Sequence, residues 1–95
     1  MRKSRDGYRN VERIIKGAAN HRRVEILTLL KEYPELSVSE LATRLKIDLR
    51  TASEHIRKLV HAGLVMKRSD SVSVRQRLTY LGEHILRFLE TIANQ

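Results

Sequence analysis

The chain has 95 residues, 41% of them apolar but only 4% aromatic, and no cysteine. A small aliphatic core is expected, and disulfides, thiolate metal sites and thiol catalysis are excluded. Lysine and arginine number 19 against 11 acidic residues, and the resulting net charge of +8 favours a polyanionic partner, nucleic acid before an anionic membrane.

The first nine residues carry Arg2, Lys3, Arg5 and Arg9 and read as a basic flexible arm, with a single domain expected over 10–95. They are followed by an amphipathic stretch rather than a continuous apolar one, so no secretory leader is expected. No run approaches the roughly 18–20 apolar residues that span a bilayer, so no membrane partner is expected and the cytoplasm is the expected location. Val11, Ile14, Ile15 and Ala18 recur at helical spacing, predicting a short first helix capped by Asn10. Asn20 is placed to cap a second helix, whose Val24, Ile26, Leu27, Leu29, Leu30 and Tyr33 cover more than half of its circumference. That helix is expected to be central, and Pro34 stops it.

Ser37-Val38-Ser39-Glu40 has the spacing of a capping box, with Leu36 and Leu41 at the positions of a hydrophobic staple. Val38, Leu41, Ala42 and Leu45 then mark the face of a third helix. After a tight turn at Lys46-Ile47, Asp48 caps a fourth, with Leu49, Ala52, Ile56, Leu59 and Val60 as its apolar stripe and Gly63 as its left-handed stop. Leu64 to Arg68 and Val72 to Leu78 read as the two strands of a hairpin around Ser69-Asp70-Ser71. Thr79 caps a last helix with Leu81, Ile85, Leu86, Phe88, Leu89, Ile92 and Ala93 on one broad face. The order is helix-helix-helix-turn-helix-hairpin-helix: mainly α with a small β-hairpin, a winged helix-turn-helix.

On a helical wheel the fourth helix shows Arg50, Glu54, Arg57 and His61 opposite its apolar stripe, flanked by Thr51, Ser53 and Lys58. An α-helix fits the DNA major groove, where arginine donates twice to guanine and hydroxyls reach bases or phosphates. Glu54 either accepts from a cytosine amine or pairs with Arg50 or Lys58, each four residues away. The hairpin adds Lys67, Arg68, Arg75 and Arg77 against Asp70 alone, a composition suited to the DNA backbone or minor groove and equally to a charge-protected edge strand.

Asn20 through Leu30 (NHRRVEILTLL) resembles the opening of the ArsR-type winged-helix regulators. Leu36 through Val65 is similar to their helix-turn-helix, including Ser53-Glu54-His55-Ile56 and the closing Ala62-Gly63-Leu64-Val65. Arg77-Leu78-Thr79 with Gly82 resembles the end of their wing, a feature shared with MarR-type regulators. The resemblance covers residues 11–93. It implies a sequence-specific double-stranded-DNA-binding transcription regulator, expected to repress, that acts as a homodimer on an inverted repeat. Its recognition helix would be about 49–62 and its wing about 64–78. Arg50, Thr51, Ser53, Glu54, Arg57 and Lys58 would then read DNA from the helix, Lys67, Arg68, Arg75 and Arg77 from the wing, and Ser39 and Lys46 would meet its backbone. The dimer interface would draw on Val11, Ile14 and Ile15 from the first helix and Leu81, Ile85, Phe88, Leu89 and Ile92 from the last. Both helices carry more apolar surface than so small a core needs.

The sequence departs from that family in having Lys46 where a turn glycine is common, and a left-handed lysine there costs on the order of 1 kcal/mol. Metal sensors of the family use Cys pairs or Asp/His ligands on the last helix, where only Glu83 and His84 stand, so neither a metal nor another cofactor is expected. His55 matches a position that supports the recognition helix. An enzyme is not expected, for want of a nucleophile–base–acid set or a phosphate-binding glycine loop. A winged helix used as a protein–protein or RNA-binding module stays open. RNA recognition calls for exposed aromatic rings, and of Tyr8, Tyr33, Tyr80 and Phe88 three are expected to be packed.

Overall fold

Ser4, not Asn10, starts the first helix: its hydroxyl accepts the Gly7 amide at 3.2 Å, and Asp6 in the first turn complements the helix dipole. In the computed structural model, which describes residues 4–95, the elements are α1 (Arg5–Ala18), α2 (His21–Glu32), α3 (Val38–Leu45), α4 (Leu49–His61), β1 (Val65–Ser69), β2 (Val74–Leu78) and α5 (Tyr80–Ala93). The arm expected over residues 1–9 is therefore helical from Arg5, while residues 1–3 lie outside the described residues. Asn10 instead accepts a hydrogen bond from Arg13 at 2.7 Å. The apolar period misses this first stretch because none of its side chains is buried; only Ala18 of α1 is.

The other caps follow the sequence. Asn20 accepts the Arg22 and Arg23 amides, Ser37 and Glu40 bond reciprocally at 3.1 and 2.9 Å, and Asp48 and Thr79 accept the Thr51 and Gly82 amides. Lys46 takes the left-handed conformation (φ 57°, ψ 44°), so the α3–α4 turn keeps the geometry for which glycine is cheaper.

α2 is central: Ile26, Leu27 and Leu30 are buried among Leu41, Leu45, Ile56, Leu59, Leu64 and Leu86 from the elements around it. Each such leucine or isoleucine contributes about 1.5–3 kcal/mol relative to an exposed one. On α2 and α4, two side chains read as apolar face residues stand outside the core. Leu49 is 55% exposed, because nothing covers the first turn of α4. Tyr33 closes α2 at the surface, with the Arg44 guanidinium 4.1 Å above its ring. All four aromatic rings are exposed, but they are dispersed. Tyr80 stands edge-on to His84, Phe88 lies between α1 and α5, and Tyr8 is on α1.

β1 and β2 are antiparallel, pairing Val65 with Leu78, Lys67 with Gln76 and Arg68 with Arg75. Gln76 also donates its amide to the Leu36 carbonyl at 2.8 Å, so Leu36, just ahead of the α3 cap, forms an isolated bridge that ties the hairpin to the helix-turn-helix. Val72, read as strand, is 90% exposed in the turn, where Asp70 accepts the Val72 and Ser73 amides. Among the described residues no helix is long and apolar enough to cross a membrane.

Candidate nucleic-acid interface

α4 rests on α2 and α3 along its buried stripe, and α1 and β1 also contact it. Ala52, Ile56 and Leu59 are buried against α2 and α3, which leaves Arg50, Thr51, Ser53, Glu54, Arg57, Lys58 and His61 exposed on the remainder of the helix. Its start is rigid: Asp48 accepts both the amide and the hydroxyl of Thr51, at 2.8 and 2.9 Å. These bonds hold the Asp48 carboxyl below the usual aspartate range. The Thr51 hydroxyl thus spends its proton on the cap and keeps lone pairs for a donor.

Glu54 pairs with Arg57, three residues on, rather than with Arg50 or Lys58. The i,i+3 position lets one carboxylate oxygen accept from both the Nε (3.1 Å) and an Nη of the guanidinium, and this bonding lowers the Glu54 pKa. Arg50 and Lys58 form no ion pair among the described residues, so they are the free cations of this face. His55 lies half-buried on the inner flank, its Nδ1 3.4 Å from an Nη of buried Arg23. Burial, and then the charge of Arg23, push its pKa below the ordinary value.

In the hairpin, register sets the roles. Arg68 and Arg75 face each other directly, a like-charge pair that destabilises unless each has its own counter-charge. Arg68 donates to the Glu35 carboxylate at 2.6 Å, while Arg75 donates to Asp70 at 3.3 Å and to the Glu35 carbonyl at 3.2 Å. Glu35 itself is held left-handed (φ 67°) after Pro34. Sequence reasoning missed it, since nothing local marks a residue whose partners are over thirty positions away. Lys67 and Arg77 are exposed and form no ion pair among the described residues. On the inner face, Gln76 is fully buried, and neither of its side-chain polar atoms has a hydrogen-bond partner among the described residues.

Ser39, in the first turn of α3, and Lys46, in the turn that leads into α4, are both exposed. Of the apolar residues on the outer helices, Ile15, Ile85, Phe88, Leu89 and Ile92 converge with Ala18 and Ala19 on a groove of about 210 Å³ between α1 and α5. Ile14 is half-buried against the core. Val11 and Leu81 are exposed and lie outside that groove.

Comparison with known proteins agrees with this arrangement. The helix-turn-helix domain family matches residues 19–68, from the cap of α2 to the end of the first strand. The transcriptional activator HlyU of Vibrio cholerae is 39% identical over 61 residues; the match takes in 64% of this chain and little more than half (56%) of that relative's length. Reduced HlyU superposes with a TM-score of 0.79 at 30% identity, covering 95% of each chain. The homodimeric winged helix-turn-helix DNA-binding domain of a possible ArsR-family transcriptional regulator from Mycobacterium bovis superposes at 0.86. It is 28% identical and covers 99% of this chain and 89% of that one. The chain belongs to the helix-turn-helix domain family, as a winged helix-turn-helix of the ArsR type.

Proposed function

We propose that the chain is a sequence-selective double-stranded-DNA-binding transcription regulator that acts as a homodimer on an inverted repeat. The observation that carries this reading is α4 itself: a helix fixed by its cap and its buried stripe, with the unpaired cations Arg50 and Lys58 on its free surface. In the major groove, Arg50 donates to a guanine edge, Ser53 reaches a base or a phosphate, Thr51 accepts from a base amine, and Lys58 and Arg57 meet the backbone. Glu54, already paired to Arg57, either holds that arginine in place or exchanges it for a cytosine amine. Lys67 and Arg77, with whatever Arg68 and Arg75 can spare, lie on the backbone or minor groove, and Ser39 and Lys46 touch phosphates beside the turn.

The α1–α5 groove supports the dimer, because it collects exposed aliphatic and aromatic side chains on the two terminal helices. The homodimeric state of the Mycobacterium bovis relative supports it too. Val11 and Leu81 extend that surface beyond the groove. A dimer lying across a promoter represses by occlusion, whereas the HlyU relative is described as an activator; a reporter with the site overlapping or upstream of the promoter decides the sign.

The test is selection of bound duplexes from random DNA, followed by salt titration of a winner. The expected result is an inverted repeat with half-sites about one helical turn apart and an affinity that falls steeply with salt. Indifference to duplex would overturn the proposal in favour of a protein- or RNA-binding module.

A further inference from the structure

α1 and α4 meet closely because Gly17 has no side chain; a Cβ there would come within 2.3 Å of the Ala62 Cβ. Beside this contact lies a cleft of about 310 Å³ lined by Arg13, Lys16, Arg23, Arg57, Lys58 and His61, with no carboxylate on its wall. Glu12 and Glu54 pair with Lys16 and Arg57, but neither belongs to the lining.

At its base is Arg23, 8% exposed and the one buried charged side chain among the described residues. Its Nε donates to the Gly17 carbonyl at 2.6 Å and an Nη to the Lys16 carbonyl at 3.4 Å, and it has no carboxylate partner among the described residues. Arg13 donates to the His61 carbonyl and to Asn10. Helix ends explain part of this: the C-termini of α1 and α4 carry roughly half a negative charge each. Those two ends together with Glu12 and Glu54 still fall short of five full cations, one of them in a low-dielectric site where its field is poorly screened.

We infer that this cleft is an oxyanion site that takes a phosphate group, with the Arg13 and Arg23 guanidiniums and the Lys16 and Lys58 ammoniums as donors. Forked guanidiniums and mobile ammoniums are the pair of side chains that phosphate oxygens favour. The phosphate belongs either to a free phosphorylated compound or to a DNA backbone, since Arg57 and Lys58 also stand on the face proposed to meet duplex.

The probe is pyrophosphate, titrated into the full chain without DNA and followed by amide NMR, so the result stands even if duplex binding fails. Saturable shifts confined to residues around 13–23 and 57–61 are expected. Non-saturating shifts that include Lys67 and Arg77 equally would overturn the site. Arg23→Lys tests the buried donor but endangers folding, so Lys16→Gln, at an exposed position, is the second variant. It should weaken pyrophosphate about tenfold, the loss of one charge-assisted hydrogen bond, and an unchanged affinity overturns the inference. The duplex salt slope of Lys16→Gln then identifies the source. A decrease of about 0.9 assigns the cleft to a backbone phosphate, and an unchanged slope assigns it to a free phosphorylated compound.

Discussion

α4 and the β1–β2 hairpin both present cations, but they spend them differently. α4 takes its rigidity from Ala52, Ile56 and Leu59 beneath it and from the Asp48 cap, so Arg50 and Lys58 carry no structural duty. A two-stranded ribbon has no core of its own and is marginal in water. The hairpin is anchored by buried Val65 and Leu78 and by the Gln76–Leu36 bond. Its outer face is tied by Arg68 to Glu35 and by Arg75 to Asp70 and the Glu35 carbonyl, and only Lys67 and Arg77 lack an ion pair among the described residues. Counting basic residues therefore overstates what the wing can offer a polyanion. Where a cation is anchored matters more than how many there are.

The most severe way to break this arrangement is at the joint between the two regions. Gly82, in the first turn of α5, lies against the Leu64 carbonyl just ahead of β1, and a Cβ there would sit 2.1 Å from that oxygen. The same carbonyl accepts the Thr79 amide at 3.1 Å, and the Thr79 hydroxyl donates to Gly63 at 2.6 Å, so both feet of the hairpin and the end of α4 meet here. Gly82→Ala must push backbone apart. It should cost about 3 kcal/mol in chemical denaturation, at the upper end of overpacking effects. A loss below about 0.5 kcal/mol would mean that the joint yields and does not fix the angle between wing and helix.

Next in size is the contrast between two arginines. Arg50→Ala should cost about 1–3 kcal/mol on a selected duplex and relax its sequence preference, with folding stability unchanged. Arg68→Ala should do the reverse, loosening the hairpin with little effect on sequence preference, since its guanidinium is held by Glu35. The comparison fails if Arg50→Ala weakens selected and random duplexes equally, or if Arg68→Ala alters base preference while the hairpin amides stay protected from hydrogen exchange.

The contrast also explains what could be read from the sequence. Caps and turns are local, so Asn20, Ser37 with Glu40, Asp48, Lys46, Gly63 and Thr79 announce their elements, and the apolar period gives the core side of each helix. The exposure of the α4 cations follows from the same wheel. Features that depend on distant partners were hidden. The Glu35 tie to Arg68 and Arg75 has no sequence signature, and neither does the seat of Arg23 on α1 carbonyls. Ser4 lies in the polar stretch read as an arm, which has no apolar period to mark a helix, so the first apolar residues place the cap at Asn10 instead. Gln76 sits on the inner face between Val74 and Leu78, where a period of two read straight through it. Helical spacing puts Leu49 in the α4 stripe and three of the four rings are expected to be packed, but a core this small fills up with aliphatic side chains first.

Gln76 provides a third, milder test. Its side-chain amide is fully buried without a hydrogen-bond partner among the described residues, a cost of about 1–3 kcal/mol for such a group. Gln76→Met keeps the length and removes the polar atoms. It should stabilise the fold by about 1 kcal/mol while leaving the backbone bond to Leu36 in place. Hairpin amides should then exchange more slowly and α4 amides at their former rate. A destabilised variant would show that the amide has a role in holding the ribbon that packing alone does not supply.

The smallest effect concerns the support of α4, and it is a pH dependence. His55 is pushed below its ordinary value of 6.5, first by burial and then by the charges of Arg23, Lys58, His21 and Arg22. The folded state therefore binds a proton at this ring less readily than the unfolded chain. From 6.5 downward the unfolded state carries more protons, so stability contributed by neutral His55 is full above 6.5 and is lost as the pH falls from there through the lower folded value. Denaturation midpoints at pH 7.5 and 5.5 should differ in that direction, and His55→Gln should flatten the difference by removing the titrating group. Because the ring lies on the inner flank of α4 and not on the hairpin, protection of α4 amides should fall with pH while the hairpin amides keep theirs. An acid-induced loosening that began in the hairpin, or one that survived His55→Gln unchanged, would place the pH sensitivity elsewhere and remove this distinction between the two regions.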